Sequence, residues 1–568
     1  MKSKFAILGL VAVLLAAVAV IALGIAVGRR LAAPALSLYE YGKGANKQHG
    51  GDYKGAIADY DRALELDPQL AKAYNNRGLA KASLGRWREA IVDYNHCLEI
   101  DPTSFTAYSN RGNAKWSLHD LEGSIADYSR ALELNPKTTN AWYGRGLAKW
   151  AKHDDAGAID DFSRAIELKP DMTDAYFSRA RAKRAKGVAD RGIADYSRAL
   201  ELNPRMTNAL IGRGLAKAAS GDFTGATADY TRALVLSPNS TDAWYSRAEA
   251  KNSAGDFAGA ITDFTRALEL APKMAAGFYQ RGLAEKSRGD LDGAQADCNR
   301  AIELDPKLAY AYDARGQIKA SKKDHVGALA DFNHSLELNP KSAVAYIDRA
   351  WTKFELHDRD GAAADFTHAF ETNPKMAEAW LGRGLLKSGA GDRDGALADL
   401  NQALELNPKL ADVYGWRGRI EYLNRNWADA LKDLQRYCDL TKRNRDWMQL
   451  LLWLTKARSN QREEADKELT AYLEKRDSTQ TDEWTSALAQ FLLDRVSETE
   501  LFAATKSGDV AKAGSRLSQA WYYAGMKKLL SGDNSTAADD FEKCLETEKQ
   551  NHLKPSEFAR AELQALGR

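Results

Sequence analysis

Cysteine is scarce in this chain and never clustered. Cys97, Cys298, Cys438 and Cys544 stand far apart, with no CxxC pair and no histidine at zinc-ligand spacing. That excludes a disulfide framework and a zinc finger or ribbon. Three of the four fall at core positions of a repeat described below, where a thiol behaves as a small hydrophobe. An excess of one charge is missing too: 80 Lys plus Arg stand against 78 Asp plus Glu, a net +2. So even a balance argues against a nucleic-acid-binding surface spread over the molecule. Catalytic signatures are absent, with no HExxH, GxxxxGK[ST] or GxSxG. The nine histidines are scattered, and His334 and His368 share a repeat position without a metal partner beside them. The expectation is a non-enzyme without cofactor, metal or small-molecule substrate.

Long apolar runs are lacking with one exception. Phe5 to Val27 is an unbroken stretch of 23 apolar or small residues, flanked by Lys2 and Lys4 before it and Arg29 and Arg30 after it. As a helix it would extend about 35 Å, enough to cross a bilayer core. A cleavable signal has a shorter apolar region, so residues 1–30 read as a signal anchor, with residues 5–27 in the membrane and 31–36 as a short linker. Ala33-Pro34-Ala35 leaves a cleaved signal as the alternative. The flanking charges nearly cancel, and the basic start leans the rest of the chain to the outer side of a bacterial inner membrane, the periplasm.

Proline is confined to a lattice. Eleven of the thirteen prolines, from Pro68 through Pro102 and Pro136 to Pro408, recur every 34 residues. Within each period position 4 is aromatic (Tyr74, Tyr108, Trp142, Tyr176, Trp244), with Leu210 the exception. Position 8 is Gly or Ala (Gly78, Gly112, Gly146, Ala180), position 20 mostly Ala (Ala56, Ala90, Ala158) and position 24 mostly Tyr or Phe (Tyr60, Tyr94, Tyr128, Phe162). Small residues at 8 and 20 let two antiparallel helices approach closely, while aromatics fill the space around that contact. A Gly near position 15, as in Gly85 and Gly221, turns the chain, and the proline at repeat position 32 ends the second helix. One such hairpin cannot bury its own apolar face, so neighbours stack into a solenoid.

The pattern closely resembles the tetratricopeptide-repeat (TPR) family over residues 37–444, as twelve consecutive repeats. The resemblance implies an all-α solenoid of helical hairpins wound as a right-handed superhelix, with the N-terminal transmembrane helix added before it. The twelfth repeat departs, with Arg425 for the turn Gly and Lys442 where Pro is expected.

Position 7, usually Leu in that family, is Arg in every repeat from the second on (Arg77, Arg111, Arg145 and onward). Position 23 is always Asp (Asp59, Asp93, Asp127, Asp161 and onward). Paired charges in a near-core setting predict a ladder of Arg–carboxylate bridges between the two helices. The repeated Gly-Arg-Gly at 144–146, 212–214 and 382–384 lies inside first helices and reads as helix packing, not a phosphate loop.

After residue 444 the strict period fades, but 445–568 stays helical. Trp447–Lys456 and Arg462–Lys475 read as a degenerate hairpin. The register returns at 518–551 with Trp521, Gly525, Gly532, Ala537, Phe541 and Cys544, and Leu553–Leu566 reads as a capping helix. The string WYYAGMKKLLSGDNSTAADDFEKC, with the preceding FLLDRVSETEL, resembles the C-terminal half of bacterial new-lipoprotein-I-type TPR adaptors. That resemblance implies an envelope scaffold that assembles protein complexes. A cytoplasm-facing co-chaperone or enzyme regulator is the alternative, although Asn75 and Asn113 alone do not supply the basic groove set of co-chaperones.

The TPR resemblance further implies that positions 2, 5, 9 and 12 of each first helix line a concave surface. Those positions cluster Trp116, Tyr143, Leu147, Trp150 and Phe177, followed by Arg181 and Arg184. Aromatics beside arginines have the composition of an interaction hot spot, and a peptide with an apolar anchor and an acidic neighbour is the expected ligand. Packing of these aromatics on adjacent repeats is the other reading.

Overall fold

The computed structural model describes residues 33–186, 189–441, 445–475, 483–506, 510–551 and 556–568. Among them are α-helices and no strand. The described residues divide into two compact units, one ending at Asp290 and the other beginning at Leu291.

The first unit is a run of helix pairs, such as Ala71–Ser83 with Trp87–Ile100 and Thr139–Ala151 with Asp155–Leu168. Local chemistry sets both ends of the second helix. Asp154 is its N-cap, its carboxylate accepting from the Gly157 amide at 2.9 Å, which satisfies one of the amides a helix start leaves unpaired. Asp52, Asp120, Asp222 and Asp256 do the same in their repeats. The proline two residues beyond the last helical residue, as Pro136 after Leu134, cannot continue the helix.

In the described turns between paired helices φ is positive whatever the residue. Gly85 (φ 75°) and Gly221 (φ 86°) adopt it without penalty, whereas His119 and His153 (both φ 62°) are held there by the fold. Arg425 in the second unit is likewise at φ 65°, so losing the turn Gly does not change the turn.

Close approach of the paired helices rests on the small residue at position 8. A Cβ added to Gly146 would lie 2.7 Å from the Phe162 ring, and one on Gly78 would lie 2.7 Å from the Tyr94 ring. Tyr60, Tyr94, Phe162 and Tyr230 at position 24 are buried, as are Ala56, Ala90, Ala158 and Ala226 at position 20. The aromatics at position 4 pack on the second helix of their own hairpin and reach the next repeat. Tyr108 and Trp142 are half-buried against Tyr128, Ala131 and Leu132, where one repeat meets the next.

The second unit continues with the same hairpins to Leu440, followed by helices Arg445–Arg458, Arg462–Lys475, Glu483–Leu492, Glu498–Ala503, Val510–Leu530, Asn534–Gln550 and Glu557–Ala565. These share one larger apolar core around Trp453, Leu488, Leu492, Met526 and Phe541. The pair Val510–Leu530 and Asn534–Gln550 repeats the earlier device: Gly532 turns at φ 88°, and Gly525 faces the Phe541 ring. All four cysteines are buried.

The membrane placement expected from the N-terminus is corrected. No described helix is long and apolar enough to cross a membrane. The apolar stretch 5–27, on which the transmembrane helix and the inner-membrane, periplasm-facing localisation rested, lies outside the described residues. The physical reason is amphipathy: the described helices alternate core-facing alanines and aromatics with charged residues, leaving no run of apolar side chains long enough for a bilayer.

Candidate functional site

Each first helix carries two faces with different chemistry. On one, Arg77 donates from Nε and Nη2 to the two oxygens of Asp93 at 3.1 and 2.7 Å. Arg111 does the same to Asp127 at 2.8 and 2.6 Å, and Arg145 to Asp161 at 2.9 and 2.8 Å. Asp93, Asp127 and Asp161 are buried. The Asp127 bonds outweigh burial and hold the Arg111 guanidinium above its usual range.

Two further partners join each pair. A lysine four residues after the arginine reaches the same carboxylate: Lys81 to Asp93, Lys115 to Asp127 and Lys149 to Asp161, at 2.7 to 2.8 Å. The remaining guanidinium nitrogen donates backward to position 25 of the preceding repeat: Arg77 to Asp61, Arg111 to Asn95 and Arg145 to Ser129. Each arginine therefore ties its own hairpin together and also clamps it to its neighbour. The guanidinium also lies over the position-4 ring, 5.3 Å from Tyr74 and 4.7 Å from Trp142. In the second unit Arg315, Arg349 and Arg417 make the same double contact, with Asp331 and Asn299, Asp365 and Asn333, and Asp433 and Asn401. This face is saturated and offers a ligand little.

The other face differs. Tyr143, Leu147 and Trp150 are half-buried and pack around Phe162 and Ala158. The Tyr143 ring stands 5.7 Å from Phe162, with its hydroxyl 3.3 Å from Ser178 of the next repeat, and burial pushes that hydroxyl's pKa up. Phe177 meets the Tyr196 ring edge-on at 5.9 Å. Arg181 lies over Trp150 at 4.3 Å and over Phe177 at 5.6 Å. Arg184 is close enough to Tyr196 to work against burial, which still raises that phenol's pKa. Trp116 stands outside this packed set and is 42% exposed. Five of the seven residues therefore form one contiguous aromatic and cationic surface, and part of each ring supports the fold.

Arg179 and Arg181, two residues apart on one helix, show the contrast between the faces. Arg179 is fully engaged by Asp195 and Ser163. Arg181 is exposed and, among the described residues, has no carboxylate within ion-pair distance. Among the described residues no group of His, Cys, Asp and Glu could hold a metal ion, and the Gly-Arg-Gly strings lie within helices.

Family models described as tetratricopeptide repeat match residues 71–104, 275–308, and 109–173, 177–241, 211–275 and 386–444, and one described as TPR repeat matches 49–85. The chain carries tetratricopeptide repeats. Among solved structures it is similar to yeast Tom70, with 17% identity over 68% of this chain and 96% of that one and a TM-score of 0.39. It is also similar to YrrB, described as a TPR protein with an unusual peptide-binding site, at 21% identity over 32% and 95%, TM-score 0.31. A third is MamA from Desulfovibrio magneticus RS-1, at 21% identity over 30% and 96%, TM-score 0.29. No curated protein matches the chain, so the C-terminal resemblance to new-lipoprotein-I-type adaptors has no counterpart there.

Proposed function

We propose that this TPR chain is a scaffold that binds other proteins through peptide segments, and that the surface of Trp116, Tyr143, Leu147, Trp150, Phe177, Arg181 and Arg184 is one such site. The observation that carries the reading is Arg181: a cation laid on two aromatic faces, exposed, with no carboxylate within ion-pair distance among the described residues. In a chain whose neighbouring repeat arginines are bound bidentately, that charge is left for a partner. The ligand is a peptide with an apolar anchor for the Trp150 and Phe177 rings and an acidic residue beside it for Arg181 and Arg184.

Selection of a random displayed peptide library on the full chain tests this, with Arg181→Gln as the counter-selection target. Enriched peptides should carry Asp or Glu next to an aromatic or aliphatic residue and should not bind Arg181→Gln or Trp150→Ala. Peptides without an acidic residue, or peptides that bind both variants equally, would remove this surface from the account.

A further inference from the structure

A second unpaired arginine occupies the second unit, and the chain's own C-terminus reaches it. Helix Glu557–Ala565 returns to the twelfth repeat, more than a hundred residues upstream. Its Phe558 ring stands 5.3 Å from Tyr422, and its buried Glu562 meets Arg425 at 3.2 Å and Arg458 at 3.4 Å. Beside this contact is a cavity of about 290 Å³, lined by Leu385, Leu386, Trp416, Phe558, Arg359 and Arg419. Arg419 lies 4.6 Å from the Trp416 ring and 5.4 Å from Phe558.

Neither Arg359 nor Arg419 has a carboxylate within ion-pair distance among the described residues, while Arg417, on the same helix as Arg419, is tied to Asp433. Burial pushes the Arg419 guanidinium's pKa down, and the charge of Glu557, also on the cavity rim, only partly offsets this. A half-buried cation with no carboxylate within ion-pair distance is costly, and a carboxylate entering the cavity relieves that cost. In the larger cleft Asp494 and Asp540 hold Arg462, Lys527 and Lys528, and its remaining cation, Arg495, is exposed and donates to Thr470.

We infer that this cavity is a second peptide site, taking an internal segment of a partner protein in which an Asp or Glu side chain sits beside an aromatic or aliphatic one. The carboxylate lies between Arg419 and Arg359, and the apolar side chain rests on Leu385, Leu386 and Trp416. The volume is at the small end for a ligand cleft, a size for one or two side chains and not for a folded surface. The occupant is an internal segment because the peptide already at this rim is one: Glu557 and Phe558 present a carboxylate and a ring side by side to Arg419. This site is separate from the one built on Trp150 and Arg181, and it has its own residues and its own test.

The probe is a blocked glycyl-glutamyl-(4-fluorophenylalanyl)-glycine peptide, with the glutaminyl version as control, followed by fluorine NMR line broadening on the full chain. The glutamyl peptide should bind more tightly than the control. Arg419→Gln should weaken it about 10- to 150-fold, the loss expected of one charge-assisted contact. Arg359→Gln, at an exposed position, should weaken it in the same direction, and Glu557→Gln should tighten it. To keep the first site silent, each is made in a Trp150→Ala background. Equal binding of the two peptides, or unchanged binding in both arginine variants, would overturn the inference.

Discussion

Replacing Arg213 by Ala is the cleanest test of the clamp between repeats. Position 4 is Leu210 in this repeat, so no aromatic ring stands beneath the guanidinium, and the substitution removes the ionic contacts alone. Arg213 donates to Asp229 at 2.9 and 2.6 Å and to Ser197 of the preceding repeat at 3.1 Å. Asp229 is 4% exposed. Breaking a fully buried pair costs about 3–5 kcal/mol. Here the arginine is only partly buried and Lys217 stays on Asp229 at 2.9 Å, so the loss should be nearer about 2–3 kcal/mol, once the Ser197 bond is included. Native-state hydrogen exchange should show this as a rise of roughly 30- to 150-fold in the opening of helices Thr207–Ala219 and Phe223–Leu236. Helix Ala71–Ser83, several repeats away, should not change, because stability in such arrays is a sum of local terms. Arg213→Ala combined with Asp229→Ala should cost less than the two singles added. A change in opening below about threefold, or one spread evenly over the unit, would refute the clamp.

His153→Gly relieves a left-handed turn residue and should raise the stability of its hairpin by about 1 kcal/mol, read by the same exchange experiment; a loss would mean the His153 side chain contributes something the turn geometry does not reveal. Gly146→Ala places a methyl against the Phe162 ring and should cost about 1–3 kcal/mol, seen as faster exchange in helices Thr139–Ala151 and Asp155–Leu168. Burial pushes the Asp399 carboxyl up, but the Arg383 and Lys387 bonds outweigh it and leave it below its usual value. Its stabilisation is therefore complete above about pH 4, the unfolded value, and is lost as the pH falls through the folded one. With Arg383→Gln and Lys387→Gln together, burial alone acts and raises that pKa, so the sign reverses and the hairpin Ala377–Leu406 should weaken as pH rises; an unchanged pH profile of its exchange would contradict this.

The 34-residue period was legible because its marks are local: the proline at repeat position 32, the turn at 15 and the small residues at 8 and 20 each act within one hairpin. Arg at 7 and Asp at 23 were legible as a pair for the same reason. Lys81 and its equivalents were not, since a lysine on a helix reads as an ordinary solvated charge until the partner helix is placed beside it. The polar residue at position 25 was equally visible and equally silent, because its bond crosses from one repeat to the next. The position-4 aromatics were read as filling the hairpin, and they do pack on its second helix, as Tyr74 on His96, but they also meet the next repeat, which the pattern did not show. Tyr143 and Trp150 illustrate the limit for the site: their positions point to a surface, and the structure shows the same rings packed against Phe162 and Arg181. The return of Phe558 to Tyr422 and Arg419 follows no sequence pattern, because nothing periodic links residues so far apart.

The central claim is that the aromatic and cationic surface of the first unit binds proteins. Photo-crosslinking measures it most directly, with a photoreactive phenylalanine in place of Trp116, the exposed tryptophan of the proposed set, and in place of Val235, which is 76% exposed on a helix that carries none of that set. The chain is expressed in its own cells, and adducts are resolved by mass. Discrete protein adducts should form from position 116 and be abolished by Arg181→Gln, with none from position 235. Equal adducts from both positions, or adducts at 116 that persist in Arg181→Gln, would contradict it.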